Sequence, residues 1–250
     1  MYDPVETDIS KEQLNKLISE SRKKGCSVAL IGGWATYFFV TNTYRSAFGR
    51  NYMESRDIDL FIDPDHGPQF AKLIEELGFR ADGMYFRWEL IYEREKKRFL
   101  NTEEAKAAQM FNLIYIFLDL FSSKDIPVPK TWCDLPPLMN FNIKTDIELI
   151  DGLPVVKMDV LIGLKCVALF ARDKADKENK DACDLYALLN YSGRAYGLTE
   201  LLKKAVEKIL GRNDLQHTIA EQVLLDASKQ SIVIANLQRL LKNWTIPQTR

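Results

Sequence analysis

The 250-residue sequence is poor in the residues that build several common kinds of site. Its histidines and cysteines are few and scattered: His66, His217, Cys26, Cys133, Cys166 and Cys183. The cysteines form no C-x-x-C pair, which argues against a structural zinc site or a disulfide framework. Isolated cysteines of this kind are typical of proteins in a reducing compartment, so we expect a cytoplasmic location.

The sequence also lacks long apolar runs and an excess of charge of one sign. No apolar stretch is long enough to span a bilayer, and the polar start, MYDPVETDISKEQ, does not resemble a signal peptide. We therefore expect no membrane partner. The formal net charge is −1, so no global positive field indicates nucleic-acid binding.

Strand-like and helix-like segments alternate at first, and helical patterns dominate after about residue 157. Helices are predicted over residues 10–24, with Ser10 as the N-cap, and over residues 34–41 and 69–77; strands are predicted over residues 27–31, 58–62, 84–92, 111–121 and, as a hairpin, 147–156. A loop is predicted over residues 42–55. The sequence therefore predicts an α+β fold with a mixed sheet and flanking helices in residues 1–157, and a mainly helical domain in residues 158–250.

The run VALIGGWATY ends an apolar strand in two glycines, Gly32 and Gly33, at the predicted start of a helix. A glycine pair lets the backbone approach an anion closely, and the N–H groups at a helix N-terminus face that anion. We therefore predict that Gly32 and Gly33 bind phosphate. An ordinary turn is the alternative interpretation.

The run ESRDIDLFID carries two aspartates, Asp57 and Asp59, that lie on one face of the predicted strand, roughly 7 Å apart. Carboxylates at this separation suit Mg²⁺, which prefers oxygen ligands. Asp119 is the one charged residue in LIYIFLDLF, and burying it would be costly without a metal or a basic partner. Asp119 is therefore the predicted third ligand, with Glu89 in FRWELIY as the second choice. A solvated strand end is the alternative for the aspartate pair.

Together, GGWATYF, RDIDLFI and FLDLF resemble the motifs of the nucleotidyltransferase superfamily, which has a polymerase-β-like fold. The resemblance implies transfer of a nucleoside monophosphate from an NTP to an acceptor hydroxyl, with release of pyrophosphate. It implies Mg²⁺ or Mn²⁺ at Asp57, Asp59 and Asp119, and a role for Asp119 in deprotonating the acceptor. It also assigns Arg56, which precedes the aspartate pair, to the nucleotide.

A second stretch, MDVLIGLKCVALFARDKADKENKDACDLYALL, resembles AbiEii-type nucleotidyltransferases. The resemblance implies catalytic roles for Lys165 and Asp184, and nucleotide binding by Lys165, Arg172, Lys180 and Asp181. Lys165 and Arg172 are seven residues apart, so they lie on nearly one helix face, and Asp181 and Asp184 are neighbours at i,i+3. The expected nucleotide site is a cleft between the strand-rich and helical parts. The alternatives are a lysine that extends to solvent and a salt-bridged helix pair.

The expected reaction needs an acceptor hydroxyl, and three interpretations are open. The AbiEii resemblance implies an RNA acceptor, such as a tRNA end, and a cognate antitoxin as partner. Two basic segments, residues 94–98 and the run LLKKAVEKIL, are candidate contacts for the RNA backbone, and solvated faces are the alternative. A small hydroxylated molecule such as an antibiotic is the second acceptor class. A catalytically silent module that holds nucleotide or a partner protein is the third interpretation, and the intact Asp-x-Asp argues against it.

Overall fold

The structure is a computed structural model that describes residues 2–84, 86–123, 133–134, 141–171 and 174–244. The chain folds into two compact units. One comprises Met1–Phe38 and Met53–Lys157, and the other comprises Phe39–Tyr52 and Met158–Arg250. The predicted α+β class, a mixed sheet with flanking helices followed by a mainly helical region, is confirmed. The predicted division into catalytic and helical domains remains a prediction about function, and the inclusion of residues 39–52 in the helical unit was not foreseen.

The first unit contains the sheet. Within the described residues its strands are β1 (Val28–Ile31), β2 (Ile58–Ile62), β3 (Arg80–Ala81), β4 (Arg87–Glu93), β5 (Arg98–Leu100), β6 (Leu113–Ser122), β7 (Cys133–Asp134), β8 (Ile147–Ile150) and β9 (Leu153–Val156). Their order is β3-β4-β6-β2-β1-β9-β8, with β5 paired to β4 and β7 paired to β6. The β2–β6, β1–β9 and β6–β7 pairs are parallel, and the other pairs are antiparallel. The centre of the sheet is therefore mixed.

The α-helices in the described part of the chain are α1 (Pro4–Lys23), α2 (Gly32–Phe48), α3 (Gly67–Glu76), α4 (Thr102–Ala107), α5 (Met158–Ala171), α6 (Ala175–Tyr191), α7 (Glu200–Leu210), α8 (Asn213–Gln222) and α9 (Gln230–Trp244). Helices α1, α3 and α4 belong to the first unit, and α5 to α9 belong to the second. Helix α2 begins in the first unit and ends in the second. None of the described helices is long and apolar enough to cross a lipid bilayer.

Helix α1 begins at Pro4 rather than at Ser10, so the predicted start was wrong. The side chain of Asp3 caps the helix by accepting a hydrogen bond from the backbone N–H of Val5 at 2.9 Å. An aspartate at the N-cap followed by proline at the first helical position is a strong start signal, which the apolar periodicity did not include. Ser10 is instead fully buried, and its hydroxyl accepts a hydrogen bond from the indole N–H of Trp34 at 3.0 Å.

Helix α2 extends to Phe48, so the predicted loop over residues 42–55 was wrong in its first half. The buried ring of Tyr44 packs against the rings of Phe48 and Tyr191, with centroids 4.5 Å and 5.6 Å away. Its hydroxyl donates a hydrogen bond to the carbonyl oxygen of Val223 at 2.7 Å. These contacts within the second unit stabilise a helical segment whose own sequence is polar.

Several short elements lie where the sequence predicts them. Strand β2 has the predicted bounds, and β1 begins one residue later than predicted. The hairpin of β8 and β9 turns at Asp151 and Gly152, with φ angles of 51° and 79°. Two consecutive residues with positive φ are typical of the tight turns that match the twist of a two-stranded hairpin.

Three cysteines of the described part, Cys26, Cys166 and Cys183, are free and buried, and we expect their thiols to be unreactive in the folded protein. Burial raises the pKa of Cys166 to about 12, and burial also raises the pKa of Cys183. Because the thiolate is the reactive form, N-ethylmaleimide at pH 8 should leave all three unlabelled until urea is added. Peptide mapping by mass spectrometry checks this, and rapid labelling of Cys166 without urea would contradict the described packing.

Candidate active site

The register of two neighbouring strands places two carboxylates side by side. Strands β2 and β6 are parallel, and Asp59 is paired with Asp119 in their register. Ile58 and Leu118, which precede them, are fully buried on the opposite face. The adjacency of Asp59 and Asp119, which the sequence suggested by residue type alone, is therefore a direct consequence of strand pairing.

Asp57 lies two residues before Asp59, immediately before the start of β2. Glu89, the second choice for the third carboxylate, lies on β4 opposite Phe117, so it is out of line with Asp59. Burial raises the pKa of Glu89, with a further contribution from the nearby Asp82. The register therefore favours Asp119 over Glu89 as the neighbour of the aspartate pair.

Gly32 makes room for the carboxylate of Asp59. Strand β1 is antiparallel to β2, and Ile31 is paired with Asp59, which brings the next residue, Gly32, against that side chain. A Cβ added to Gly32 would lie 2.6 Å from Cγ of Asp59 and closer still to its Oδ2. Gly32 also has a φ of +69°, which side chains disfavour. Phosphate binding by Gly32 and Gly33 stays a prediction, and the structure gives Gly32 a second reason to be glycine.

Asp119 is held by an arginine that the sequence analysis did not assign to the site. Nε and Nη2 of Arg87 donate to the two carboxylate oxygens of Asp119, each at 2.7 Å. The side chain of Asp119 is 10% exposed, so this pairing compensates a buried negative charge. The hydrogen bonds to Asp119 raise the pKa of Arg87, opposed by burial and reinforced by the charges of Asp119 and Asp57. The sequence feature that could have led to Arg87 was Asp119 itself, because a buried aspartate was predicted to need a metal or a basic partner.

A second arginine, Arg56, lies against the other aspartate. Its Nε is 3.0 Å from Oδ1 of Asp57, and both side chains are partly exposed. The guanidinium carbon of Arg56 lies 5.3 Å from the ring centroid of Phe117, and that of Arg87 lies 4.6 Å from the same centroid. Asp57 and Asp119 are thus each paired with an arginine, and one aromatic ring contacts both arginines. Nucleotide binding by Arg56 remains a prediction.

The carboxylates fit a divalent cation in their chemistry. Asp57, Asp59 and Asp119 offer oxygen ligands, which Mg²⁺ and Mn²⁺ prefer, and the missing side chain of Gly32 leaves the room that the carboxylate of Asp59 itself occupies. Within the described part of the chain, however, no three acidic, histidine or cysteine side chains converge closely enough to hold a metal ion. Both oxygens of Asp119 are directed at Arg87 in this arrangement.

The second unit contains a buried network of charged side chains between α5 and α6. Nζ of Lys165 donates to Oδ1 of Asp181 at 3.0 Å and to Oδ2 of Asp184 at 2.5 Å. The hydroxyl of Tyr52 donates to the other oxygen of Asp184 at 3.0 Å. Burial alone would lower the pKa of Lys165, but Asp184 and Asp181 together raise it. Lys165 is only 6% exposed, so it does not extend to solvent.

The structure therefore brings three of the predicted residues, Lys165, Asp181 and Asp184, into direct contact. This is the salt-bridged helix pair that the sequence analysis named as the structural alternative, and the catalytic and nucleotide roles stay predictions. Lys180 lies half-buried on α6, and Arg172 lies outside the described residues. Tyr52 was missed because it lies in a segment predicted to be a loop, and no local pattern marked it.

The basic segment at residues 94–98 is paired with acidic side chains of its own unit. Arg94 lies 2.6 Å from Asp3, and Arg98 lies 2.7 Å from Glu104. In the run LLKKAVEKIL, Lys208 lies 2.6 Å from Glu178. These pairs match the solvated-face alternative and reduce the charge available to an RNA backbone.

Comparison with known proteins identifies related sequences and folds. The family model described as "Nucleotidyl transferase AbiEii toxin, Type IV TA system" matches residues 45–245. An antigenic nucleotidyltransferase-like protein from Paracoccidioides brasiliensis is 15% identical, with a TM-score of 0.52 over 86% of this chain and 94% of that chain. JHP933 from Helicobacter pylori is 14% identical, with a TM-score of 0.52 over 97% and 94%. At these identities the two structures show the fold alone. No curated protein matches the chain in sequence.

Substituting Gly32 should destabilise the fold more than substituting a glycine with the same backbone angle elsewhere. Gly32→Ala combines a strained φ of +69° with overlap against Asp59, whereas Gly25→Ala at φ +70° meets no atom within 4 Å. We expect Gly25→Ala to lower the free energy of unfolding by about 1 kcal/mol and Gly32→Ala by at least about twice that. Urea denaturation followed by circular dichroism measures both, and equal losses would show that Asp59 does not occupy this space.

Removing the ammonium of Lys165 should destabilise the second unit in a pH-dependent way. Lys165→Met leaves Asp181 and Asp184 buried without their cation, and we expect a loss of about 3–5 kcal/mol at pH 7. In the variant, protonating one carboxylate relieves the repulsion, so the folded state binds more protons than the unfolded state and the loss shrinks as the pH falls. The exposed Lys177→Met on α6 is the control, measured by urea denaturation at pH 5 and pH 7. A loss that is the same at both values would contradict the described network.

Proposed function

Because the chain belongs to the AbiEii family of nucleotidyltransferases, we propose that it transfers a nucleoside monophosphate from an NTP to an acceptor hydroxyl. The acceptor oxygen forms a bond to the α-phosphorus, the bond to the β-phosphate oxygen breaks, and pyrophosphate leaves. The observation that carries the proposal is the pairing of Asp59 with Asp119 on adjacent strands, beside the glycine turn that opens α2. This arrangement supports a site for metal-bound phosphate.

In the proposed reaction, Asp57, Asp59 and Asp119 would hold Mg²⁺ or Mn²⁺. A divalent cation in such a site neutralises phosphate charge and favours ionisation of the attacking hydroxyl. Asp119 also accepts the proton of the acceptor hydroxyl or passes it to water. The partial exposure of Asp57 supports access of a substrate to this part of the sheet.

The phosphates of the NTP are proposed to meet two kinds of donor in the first unit. The backbone N–H groups of Gly32 and Gly33 lie at the N-terminus of α2, where the helix dipole favours anions. The guanidinium of Arg56 is partly exposed and is suited to phosphate because of its planar set of donors. Neither glycine adds a side chain of its own at this turn.

The second unit is proposed to contribute basic side chains to the nucleotide as well. Lys165, Arg172 and Lys180 are assigned to phosphate charge, and Asp181 and Asp184 hold the ammonium of Lys165 in a fixed position. That ammonium is buried and has two carboxylate partners. The proposed catalytic roles of Lys165 and Asp184 therefore depend on both carboxylate partners of Lys165, the side chains of Asp181 and Asp184, staying in place.

We propose RNA as the acceptor, for example the end of a tRNA, and an antitoxin as protein partner. The support is the description of the matching family as a toxin of a toxin–antitoxin system. A small hydroxylated molecule such as an antibiotic is the second candidate. It is favoured by the net charge of −1 and by the pairing of Arg94 and Arg98 with acidic side chains, which reduces the positive charge that this segment offers to a nucleic acid.

Incubation with Mg²⁺, each α-labelled NTP in turn and total cellular RNA tests the proposed reaction. Label should appear in an RNA band with wild-type protein and be absent with Asp59→Asn, because that change removes a metal-binding charge. Asp65→Asn, the same change at an exposed position, is the matched control and should retain transfer. Circular dichroism confirms that both variants are folded, and transfer by folded Asp59→Asn would overturn the metal assignment.

The same assay separates the acceptor classes. Transfer to RNA should fall steeply with rising salt, because RNA binding releases counterions, whereas transfer to a small molecule should change little. Label on an added aminoglycoside in place of RNA would favour the second candidate. If neither the RNA nor the aminoglycoside is labelled, and Mg²⁺ does not affect nucleotide binding, the protein is better explained as a catalytically silent binding module than as an enzyme.

A further inference from the structure

Arg87 occupies the site without a role in the reaction described above. It is paired with Asp119 across β4 and β6, while Asp119 is paired with Asp59 across β6 and β2. Three consecutive strands therefore carry, at one level, an arginine and two aspartates. Arg87 is also electrostatically coupled to Asp57. The guanidinium of Arg87 is thus a positive charge in direct contact with one of the carboxylates proposed to bind metal.

We propose that Arg87 competes with the divalent cation for the carboxylate of Asp119. Once the cation displaces Arg87 from Asp119, the guanidinium binds a phosphate of the nucleotide. The inference rests on the proposed function and adds a residue to its site. No proton moves in the exchange: Asp119 remains an anion, Arg87 remains a cation, and only their partners change. Both oxygens of Asp119 accept from Arg87 at 2.7 Å before the exchange.

Two features make Arg87 a competitor of the cation: the positive charge of its guanidinium and the orientation that it gives to the carboxylate of Asp119. The side chains of Arg87 and Asp119 are 15% and 10% exposed, so little water screens the guanidinium from a cation placed beside it. The two hydrogen bonds also fix the carboxylate plane toward β4. Within the described residues no three ligand side chains converge on a metal position, as expected if Asp119 is directed at Arg87. A cation shared by Asp59 and Asp119 therefore has to weaken the pair.

The released guanidinium stays within the site because its other contacts do not depend on Asp119. It lies 4.6 Å from the ring centroid of Phe117 and 5.7 Å from that of Phe86. Stacking of this kind holds the plane of an arginine while leaving its N–H groups free to change partners. A phosphate oxygen is the fitting new acceptor, because the arginine fork binds phosphate and carboxylate with the same geometry.

A purely structural ion pair makes a different prediction. In that case replacing Arg87 lowers stability and leaves cation binding unchanged or weaker, because the site loses rigidity. Competition requires the opposite result, tighter cation binding when the competitor is removed. The direction of the change in cation affinity therefore distinguishes the two roles without any measurement of activity.

The test is a Mn²⁺ titration without nucleotide, in which electron paramagnetic resonance reports the free ion. We compare the wild-type protein with Arg87→Gln and Arg87→Lys. Loss of a charged, bidentate pair should tighten Mn²⁺ binding by about tenfold for Arg87→Gln, with a smaller gain for Arg87→Lys. Arg98→Gln, which removes an arginine bonded to Glu104 outside the site, should bind Mn²⁺ as the wild type does. An unchanged or weaker affinity in both Arg87 variants overturns the inference.

A second titration measures a non-hydrolysable NTP analogue at saturating Mn²⁺. Arg87→Gln should bind the analogue about tenfold more weakly than the wild type, and an equal affinity overturns the phosphate role. Arg87→Lys keeps a positive charge beside Asp119, so it decides the question if Arg87→Gln does not fold. If neither the wild type nor an Arg87 variant binds Mn²⁺, the metal-dependent function fails as well. If Asp59→Asn abolishes Mn²⁺ binding while both Arg87 variants bind Mn²⁺ with wild-type affinity, this inference is overturned and the proposed function is not.

Discussion

The pairing of Asp59 with Asp119 across two parallel strands is the constraint on which the first unit depends. Two carboxylates at one level of a sheet repel each other, and burial of Asp119 increases the need for positive charge. Arg87 supplies that charge within the chain, and a substrate-bound cation would supply it in the proposed reaction. Gly32 supplies the remaining requirement, which is space. The electrostatics of the site and the local backbone are thus both consequences of one strand register.

The second unit also contains buried carboxylates, and their negative charge is compensated in a different way. There a lysine, Lys165, lies between two carboxylates of the next helix, and a tyrosine hydroxyl satisfies a further oxygen. The network is almost wholly buried, whereas the aspartates of the sheet are partly accessible through Asp57. A buried ammonium held by two carboxylates resists change, whereas the Arg56–Asp57 pair of the sheet is open to solvent. This contrast is why the carboxylates of the sheet support the stronger chemical proposal.

Local sequence was enough to predict β2, the glycine turn and the α+β class, because each depends on residues close together in the chain. Asp-x-Asp on an apolar strand and a lone aspartate in LIYIFLDLF also identified the carboxylates that the register brings together. Arg87 was missed because its importance arises from pairing with a residue 32 positions away. The start of α1 and the length of α2 were missed because a capping aspartate and the buried ring of Tyr44, rather than apolar periodicity, determine them.

Gly32 has a consequence for how this sequence can change over time. Every missense mutation there adds at least a Cβ, and that atom meets the side chain of Asp59. Gly25 has nearly the same φ but open surroundings, so residues that tolerate a left-handed backbone, such as asparagine, can replace it. Two glycines that look alike in the sequence therefore differ in their accessible substitutions. We therefore expect every single substitution at Gly32 to destabilise the turn, so sequence changes tolerated in this turn have to occur at other positions.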